Sequence, residues 1–292
     1  MSMSNTEILA LVDLLDDPDE VIFENVRNRL LSEGPTIVNT LENFWEHNFH
    51  PLRQERIENL IHEIQFTSLK NRIHNWIRLG GGNLLSGAML VAQYQYPALE
   101  EKSVKEEVEK IKSAIWLEIN DDMTGLEKIH VMNQVFFKHY GFQGDKESFH
   151  HPMNSQIHKV IERKKGNPLS LSILYLILAQ ELELPLYGVN LPQHFVMAYK
   201  DEYHVLLPDE YKTKHGVLFY VNAFSNGKVF GKAEIDDFIR HLKLEKKDSY
   251  YSPCDNLTII KRMLKNLQFA YKHAEKEEKE ADVKKLVKLF ED

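Results

Sequence analysis

The sequence predicts an α+β fold, predominantly α-helical, with one central helix packed on a small antiparallel sheet. Three observations lead there. Apolar residues recur at helical spacing over most of the 292 residues. The segment Leu169 to Leu182 carries one charged residue, Glu181, so its helix should be buried on every side. Two short apolar runs, Phe195 to Tyr199 and Val217 to Val221, have strand character.

From the N-terminus, residues 1–79 read as a helical region. In ILALVDLLDDPDEVIFENVRNRLLSEGPTIVNTLENFW the apolar positions keep helical period, and Pro18 and Pro35 stand near the starts of new segments, where proline is tolerated. Short helices separated by turns suggest antiparallel hairpins of HEAT type. Only about two units are visible, so an irregular helical domain stays open beside a repeat. Gly80-Gly81-Gly82 is the clearest break in the sequence, and the first domain boundary is placed there.

Residues 80–245 form the second expected domain. NLLSGAMLVAQYQYP should be a buried helix, residues 101–122 an amphipathic surface helix, Leu126 to Tyr140 another helix, and Ile157 to Lys165 a further one. Asn167 is placed to cap the central helix, with Pro168 as its first residue. The polar stretch Lys200 to Gly216, between the two strands, reads as an exposed loop. Residues 246–292 read as a C-terminal helical tail, similar to half of a TPR repeat, ending in a charge-laced helix pair.

Composition narrows the function classes. Thirty-six basic against 44 acidic residues give a formal charge of −8, and no dense basic patch stands out, so no nucleic-acid partner is expected. The single cysteine, Cys254, can form neither an internal disulfide nor a multi-cysteine zinc site, which fits a reducing, cytoplasmic setting. The first residues lack a basic segment followed by a long apolar run, and no apolar stretch is long enough for a bilayer. Neither secretion nor membrane insertion is expected. His139, His150, His151 and His158 are a tempting metal set, but Pro152 breaks any shared i, i+4 helix face, and neither a metal nor a cofactor is expected. Lys159, Lys164 and Lys165 read as a solvated basic edge. Gly80-Gly81-Gly82-Asn83 lacks the Gly-Lys-Ser/Thr of a P-loop.

The run NSQIHKVIERKKGNPLSLSILYLILAQELELPLYGVNLPQHFVMAY holds Asn154-Ser155, Arg163, Gly166, Pro168-Leu169-Ser170-Leu171-Ser172, Leu184-Pro185 and His194-Phe195, followed by Asn222-Ala223-Phe224 and Asn226-Gly227. These residues resemble the signature of the SirB-one family of transglutaminase-like proteins, over roughly residues 83 to 270. The resemblance implies a papain/transglutaminase-like core. In active enzymes of that class a cysteine at the head of the central helix attacks, a histidine on the next strand takes its proton, and an Asp or Asn orients the imidazole. The matching positions here are Pro168, His194 and Asn222. Proline carries no reactive atom, and many family members share it, so the departure is from active transglutaminases rather than from the family.

Two serines could substitute. Ser170 lies two residues on, turned about 200° around the helix, and Ser172 lies four residues on, about 6 Å deeper along the axis. Both read more readily as hydroxyls bonded within their own helix or packed against its surroundings. His194 is either a structural histidine bonded to Asn222 or a surviving ligand contact. The main expectation is a catalytically inactive transglutaminase-like protein that binds protein or peptide partners through the helix-head cleft and the N-terminal hairpins. Its rival is a hydrolase or acyltransferase using Ser170 or Ser172 with His194 and Asn222. A third reading, a pure scaffold, requires that Phe195 and Tyr175 fill the space around His194. Cys254, in a turn, is expected to be an incidental thiol.

Overall fold

A computed structural model describes residues 3–47, 50–201 and 214–291. Most of the loop expected over Lys200 to Gly216 lies outside the described residues. The molecule divides into two compact units, Met1–Asn75 and Trp76–Asp292.

The first unit holds α1 (Asn5–Val12), α2 (Glu20–Glu33), α3 (Val38–His47) and most of α4 (Pro51–Arg78). Ser4 and Glu7 form a capping box on α1, and the Asp19 carboxylate caps α2 by accepting from the Val21 N–H. Gly34, at φ +66°, ends α2, and Pro35 opens the short turn that leads into α3. The apolar positions of the four helices meet in one core that includes Val12, Leu30, Leu41, Ile57 and Leu60. Two arginines of α4 tie down the turn after α1. Arg53 donates to both Asp16 carboxylate oxygens at 2.8 and 2.9 Å, while Arg56 donates to the Leu15 and Asp17 carbonyls and covers the Phe23 ring.

The second unit is organised around α9 (Pro168–Glu181), in which every residue from Pro168 to Ala179 is buried. A helix so uniformly apolar needs neighbours on all sides. It has them in α5 (Leu84–Gln95), α6 (Glu101–Trp116), α8 (Ile157–Arg163) and α11 (Asn256–His273), together with the sheet strands β3 (Leu186–Val189) and β4 (Val196–Lys200). The sheet continues through β5 (Val217–Asn222) to β6 (Lys228–Phe230), antiparallel throughout, in the order β3-β4-β5-β6. Its register sets Leu186 opposite Tyr199, Met197 opposite Val221 and Tyr220 opposite Phe230. Alternate residues of β4 point to opposite faces. Val196 and Ala198 join Ile235 and Ile239 of α10 (Lys232–His241) in a second core, on the sheet face away from α9.

The structure is thus α+β and predominantly helical, in agreement with the sequence. Details differ for local reasons. The helix expected over 101–122 stops at Trp116, where Asn120 takes the Asp122 N–H on its side chain and competes with the helical ladder. The next helix, α7 (Gly125–Asn133), gives way to a wider turn over Gln134–His139, with the Tyr140 N–H reaching the Val135 carbonyl. Two two-residue strands, β1 (Gln143–Gly144) and β2 (Lys165–Gly166), pair in parallel and are too short to see in the sequence. The last elements are α11 and α12 (Glu277–Lys288), which pack on each other. The charge-laced end is a single helix, α12, rather than a pair, and it buries Val283, Leu286 and Val287, while α11 buries a full stripe from Ile259 to Tyr271.

Candidate functional site

The head of α9 is fixed by its own sequence. Asn167 accepts the Ser170 N–H on its side chain at 2.9 Å, and the Ser170 hydroxyl accepts the Asn167 N–H at 3.0 Å. That reciprocal cap leaves Pro168 at the first helical position, where its missing N–H costs nothing. Gly166 is required by the same packing: a Cβ there would sit 2.6 Å from the Ser170 oxygen.

His194 arrives from the other side. Gln193, at φ +57°, turns the backbone into β4, and His194 beside it lines the same cleft as Pro168, its ring centre 5.9 Å from that of Phe238. Because β4 and β5 are neighbours, Asn222 at the end of β5 falls near His194, close enough for its amide to favour the protonated imidazole. The Asn222 oxygen also accepts the N–H groups of Phe224, at 3.0 Å, and Ser225, at 3.3 Å, so the amide is held in place.

Pro168 and His194 face a cleft of about 460 Å³, within the size range of small-molecule sites. Phe195 lines it without filling it, and the Tyr175 hydroxyl donates to Asn133 instead. The scaffold reading required a filled space there, and the space is open. Ser155, Asn167, Gln193, Arg262 and Asn266, with His150 and His151, complete the polar lining.

The two serines weighed as substitutes are elsewhere. Ser170 spends its hydroxyl in the cap of α9. Ser172 is 0% exposed, and its hydroxyl has no hydrogen-bond partner among the described residues. Neither lines the cleft. Cys254 donates its N–H to the Gly188 carbonyl at the sheet edge, and burial with the adjacent Asp255 pushes its thiol up to about 12. The histidines scatter: His150 stacks on His273 and meets Phe269, His158 packs against Tyr96, and His139 against Tyr140. Among the described residues no cluster of three or more His, Cys, Asp or Glu is placed to hold a metal. No described helix is long and apolar enough to cross a membrane.

Sequence reasoning did not find Arg262, Asn266 or Ser155 as cleft residues. Arg262 and Asn266 come from α11, whose amphipathic pattern is legible but whose packing partner is not. Ser155 belongs to the Asn154-Ser155 pair of the signature, and the structure supplies the reason for that pair. The Arg163 guanidinium donates to Asp145 at 2.6 Å and to the Asn154 oxygen at 3.1 Å, and Asn154 donates to the Ser148 carbonyl at 2.7 Å. This network shapes the loop that presents His150, His151 and Ser155 to the cleft.

The site's charge state follows from its surroundings. Burial, then the nearby Arg262 guanidinium, holds the His194 imidazole below the ordinary histidine value of 6.5, and the Asn222 amide opposes them only in part. The imidazole is therefore neutral at pH 7. Ring-proton NMR should give a His194 midpoint below 6.5, moving upward in Arg262→Gln. Because the folded value is the depressed one, the unfolded protein binds the proton more readily. This group's contribution is therefore intact above pH 6.5 and shrinks as the pH falls below it. A midpoint above 6.5 would contradict the burial described here.

Comparison with known proteins follows the same region. A family model described as the transglutaminase-like superfamily matches residues 102–265. A UPF0162 protein of Xylella fastidiosa strain 9a5c is 29% identical over 194 residues, covering 64% of this chain and 64% of that protein. A UPF0162 protein of Pasteurella multocida is 39% identical over 80 residues, 27% of this chain and 30% of that protein. Human F-box only protein 21 is 28% identical over 140 residues, 48% of this chain and 21% of its own length. The chain thus spans less than two thirds of the length of these relatives. No solved structure matches it.

Proposed function

The chain belongs to the transglutaminase-like superfamily, and from the proline at the head of its core helix we propose that it is a binding module for a peptide or protein segment, without the superfamily's thiol chemistry. The observation that carries this reading is Pro168 lining an open cleft beside a retained His194–Asn222 pair. Acyl transfer through a thiol needs a nucleophilic atom where the pyrrolidine ring stands. Cys254 is raised too far to ionise at neutral pH. An amide at position 222 can orient an imidazole, but it lacks the negative charge that stabilises an imidazolium. What persists is a cleft with fixed polar groups and aromatic walls. The first helical unit is proposed as a further protein-contact surface, and the single thiol fits a cytoplasmic setting.

The alternative hydrolase or acyltransferase would have to free Ser170 from its cap or bring Ser172 out of the core. The test joins turnover to binding. Wild-type protein incubated with a glutamine peptide and a fluorescent amine, or with a p-nitrophenyl ester, should show no rate above buffer. A library of labelled tetrapeptides should meanwhile perturb the His194 ring signals. Turnover that disappears in a single Ser155→Ala, Ser170→Ala or Ser172→Ala variant would overturn the proposal.

A further inference from the structure

Arg262 is the least expected group in the cleft. One of its terminal nitrogens, Nη1, donates to the Leu191 carbonyl at 2.6 Å and to the Asn190 side chain, which anchors the turn before His194. The guanidinium lies 5.7 Å from the centre of the Phe195 ring. Among the described residues no carboxylate pairs with it, and Nε and Nη2 make no hydrogen bond. An arginine carries five N–H donors in a fixed fork and stays charged. Arg262 is half-buried and lines the cleft, so the donors it does not spend on the turn are available to a ligand there.

The rest of the cleft points the same way. Its polar lining consists of Arg262, His150, His151 and His194 together with Asn, Gln and Ser, and no Asp or Glu lines it among the described residues. The protein as a whole carries a formal charge of −8, so this is a local reversal of sign. The N-terminus of α9, with its positive dipole end, opens on the same space. Phe149, Phe195 and Phe269 supply apolar walls, and Phe269 is 52% exposed. Amides of Asn167, Asn266 and Gln193 can meet peptide groups.

We infer that the cleft is a carboxylate-binding site for a peptide, with Arg262 as the residue that takes the carboxylate. This rests on the peptide-binding reading above and names the chemistry of its ligand. The carboxylate stands where an ion-pair partner of Arg262 would otherwise be, in the bidentate geometry that guanidinium favours. The peptide's apolar side chains lie against the phenylalanines. Two sources share this chemistry, the C-terminus of a polypeptide and an acidic side chain.

The experiment measures fluorescence anisotropy with one dye-labelled tetrapeptide library in three forms: free C-terminal acids, C-terminal amides, and amides with an internal Glu. The proposal expects at least one carboxylate form to bind ten-fold or more tightly than the neutral amides. The free acids winning identifies a C-terminus, and the Glu peptides winning identifies a side chain. The advantage should weaken with added salt and vanish in Arg262→Gln. Since that variant also loosens the turn at Leu191, the comparison among peptide forms on wild-type protein stands independently of it. Equal binding of all three forms would overturn the carboxylate site while leaving a peptide-binding cleft. No binding of any form at millimolar concentration would overturn both.

Discussion

Pro168→Cys should create a thiol that is alkylated at neutral pH on the order of 10²-fold faster than Cys254 in the same molecule. The argument begins with ionisation. Cys254 is pushed up to about 12 by burial and Asp255, so almost none of it is thiolate at pH 7. A cysteine at the first position of α9 would lie beside free helix N–H groups, facing the cleft. Such thiols titrate at about 7.5 or lower. That difference raises the thiolate fraction by four orders of magnitude or more. The lower basicity of the new thiolate returns roughly two of them, since nucleophilicity falls with a Brønsted slope of about 0.4–0.5. The N–H regained at that position needs no partner within the helix, so the fold should tolerate the change. His194→Ala in this background should slow alkylation, because the imidazole is the base that takes the thiol proton. Asn222→Asp should speed it by stabilising the imidazolium. Mass spectrometry of iodoacetamide-treated protein separates the two cysteines. Equal labelling of both would show that the helix head and His194 do not form the arrangement described.

Some of this is readable directly. The charge-free run from Leu169, the Asn167-Pro168 start and the two apolar runs each declare an element through local chemistry alone, and the structure has all of them. The transglutaminase-like resemblance, drawn from motif residues between Asn154 and Gly227, is borne out by the family match. What local patterns do not carry is partnership across distance. Strands β1 and β2 are two residues each, held by a pairing between positions 143 and 165. Arg262 looks like any helix-surface arginine until α11 is seated against the segment around Ser155. Ser170 reads as a hydroxyl bonded within its own helix or packed against its surroundings, but its specific role in the cap depends on the rotation of Asn167, three residues earlier. Arg163 belongs to the signature, but its reason is tertiary: its partners Asp145 and Asn154 come from a loop that no periodicity describes.

That reason makes Arg163 the second position where a large effect is expected. Asp145 is 4% exposed, and Arg163 is the cation that pairs with it. Burial alone would raise the Asp145 carboxyl. The Ser148 N–H, Arg163 and Asn154 outweigh it and leave the group below its ordinary value of 3.8. Arg163→Met removes the cation and leaves a buried carboxylate, a change that should cost about 3 kcal/mol in urea denaturation at pH 7. Because the folded value is the depressed one, Asp145 contributes stability above pH 3.8 that is lost as the pH falls through the folded value. The gap between wild type and Arg163→Met should therefore close in acid, where the carboxyl is neutral in both. Adding Asp145→Asn to Arg163→Met should recover part of the loss at pH 7, since the amide keeps an acceptor for Ser148 and removes the stranded charge. The same single variant should weaken tetrapeptide binding, because the loop carrying His150, His151 and Ser155 is shaped by this network. A variant as stable as wild type at pH 7 would mean that the Asp145 charge is satisfied without Arg163. Undiminished stability with lost binding would instead confine the network's role to the loop and the cleft it borders.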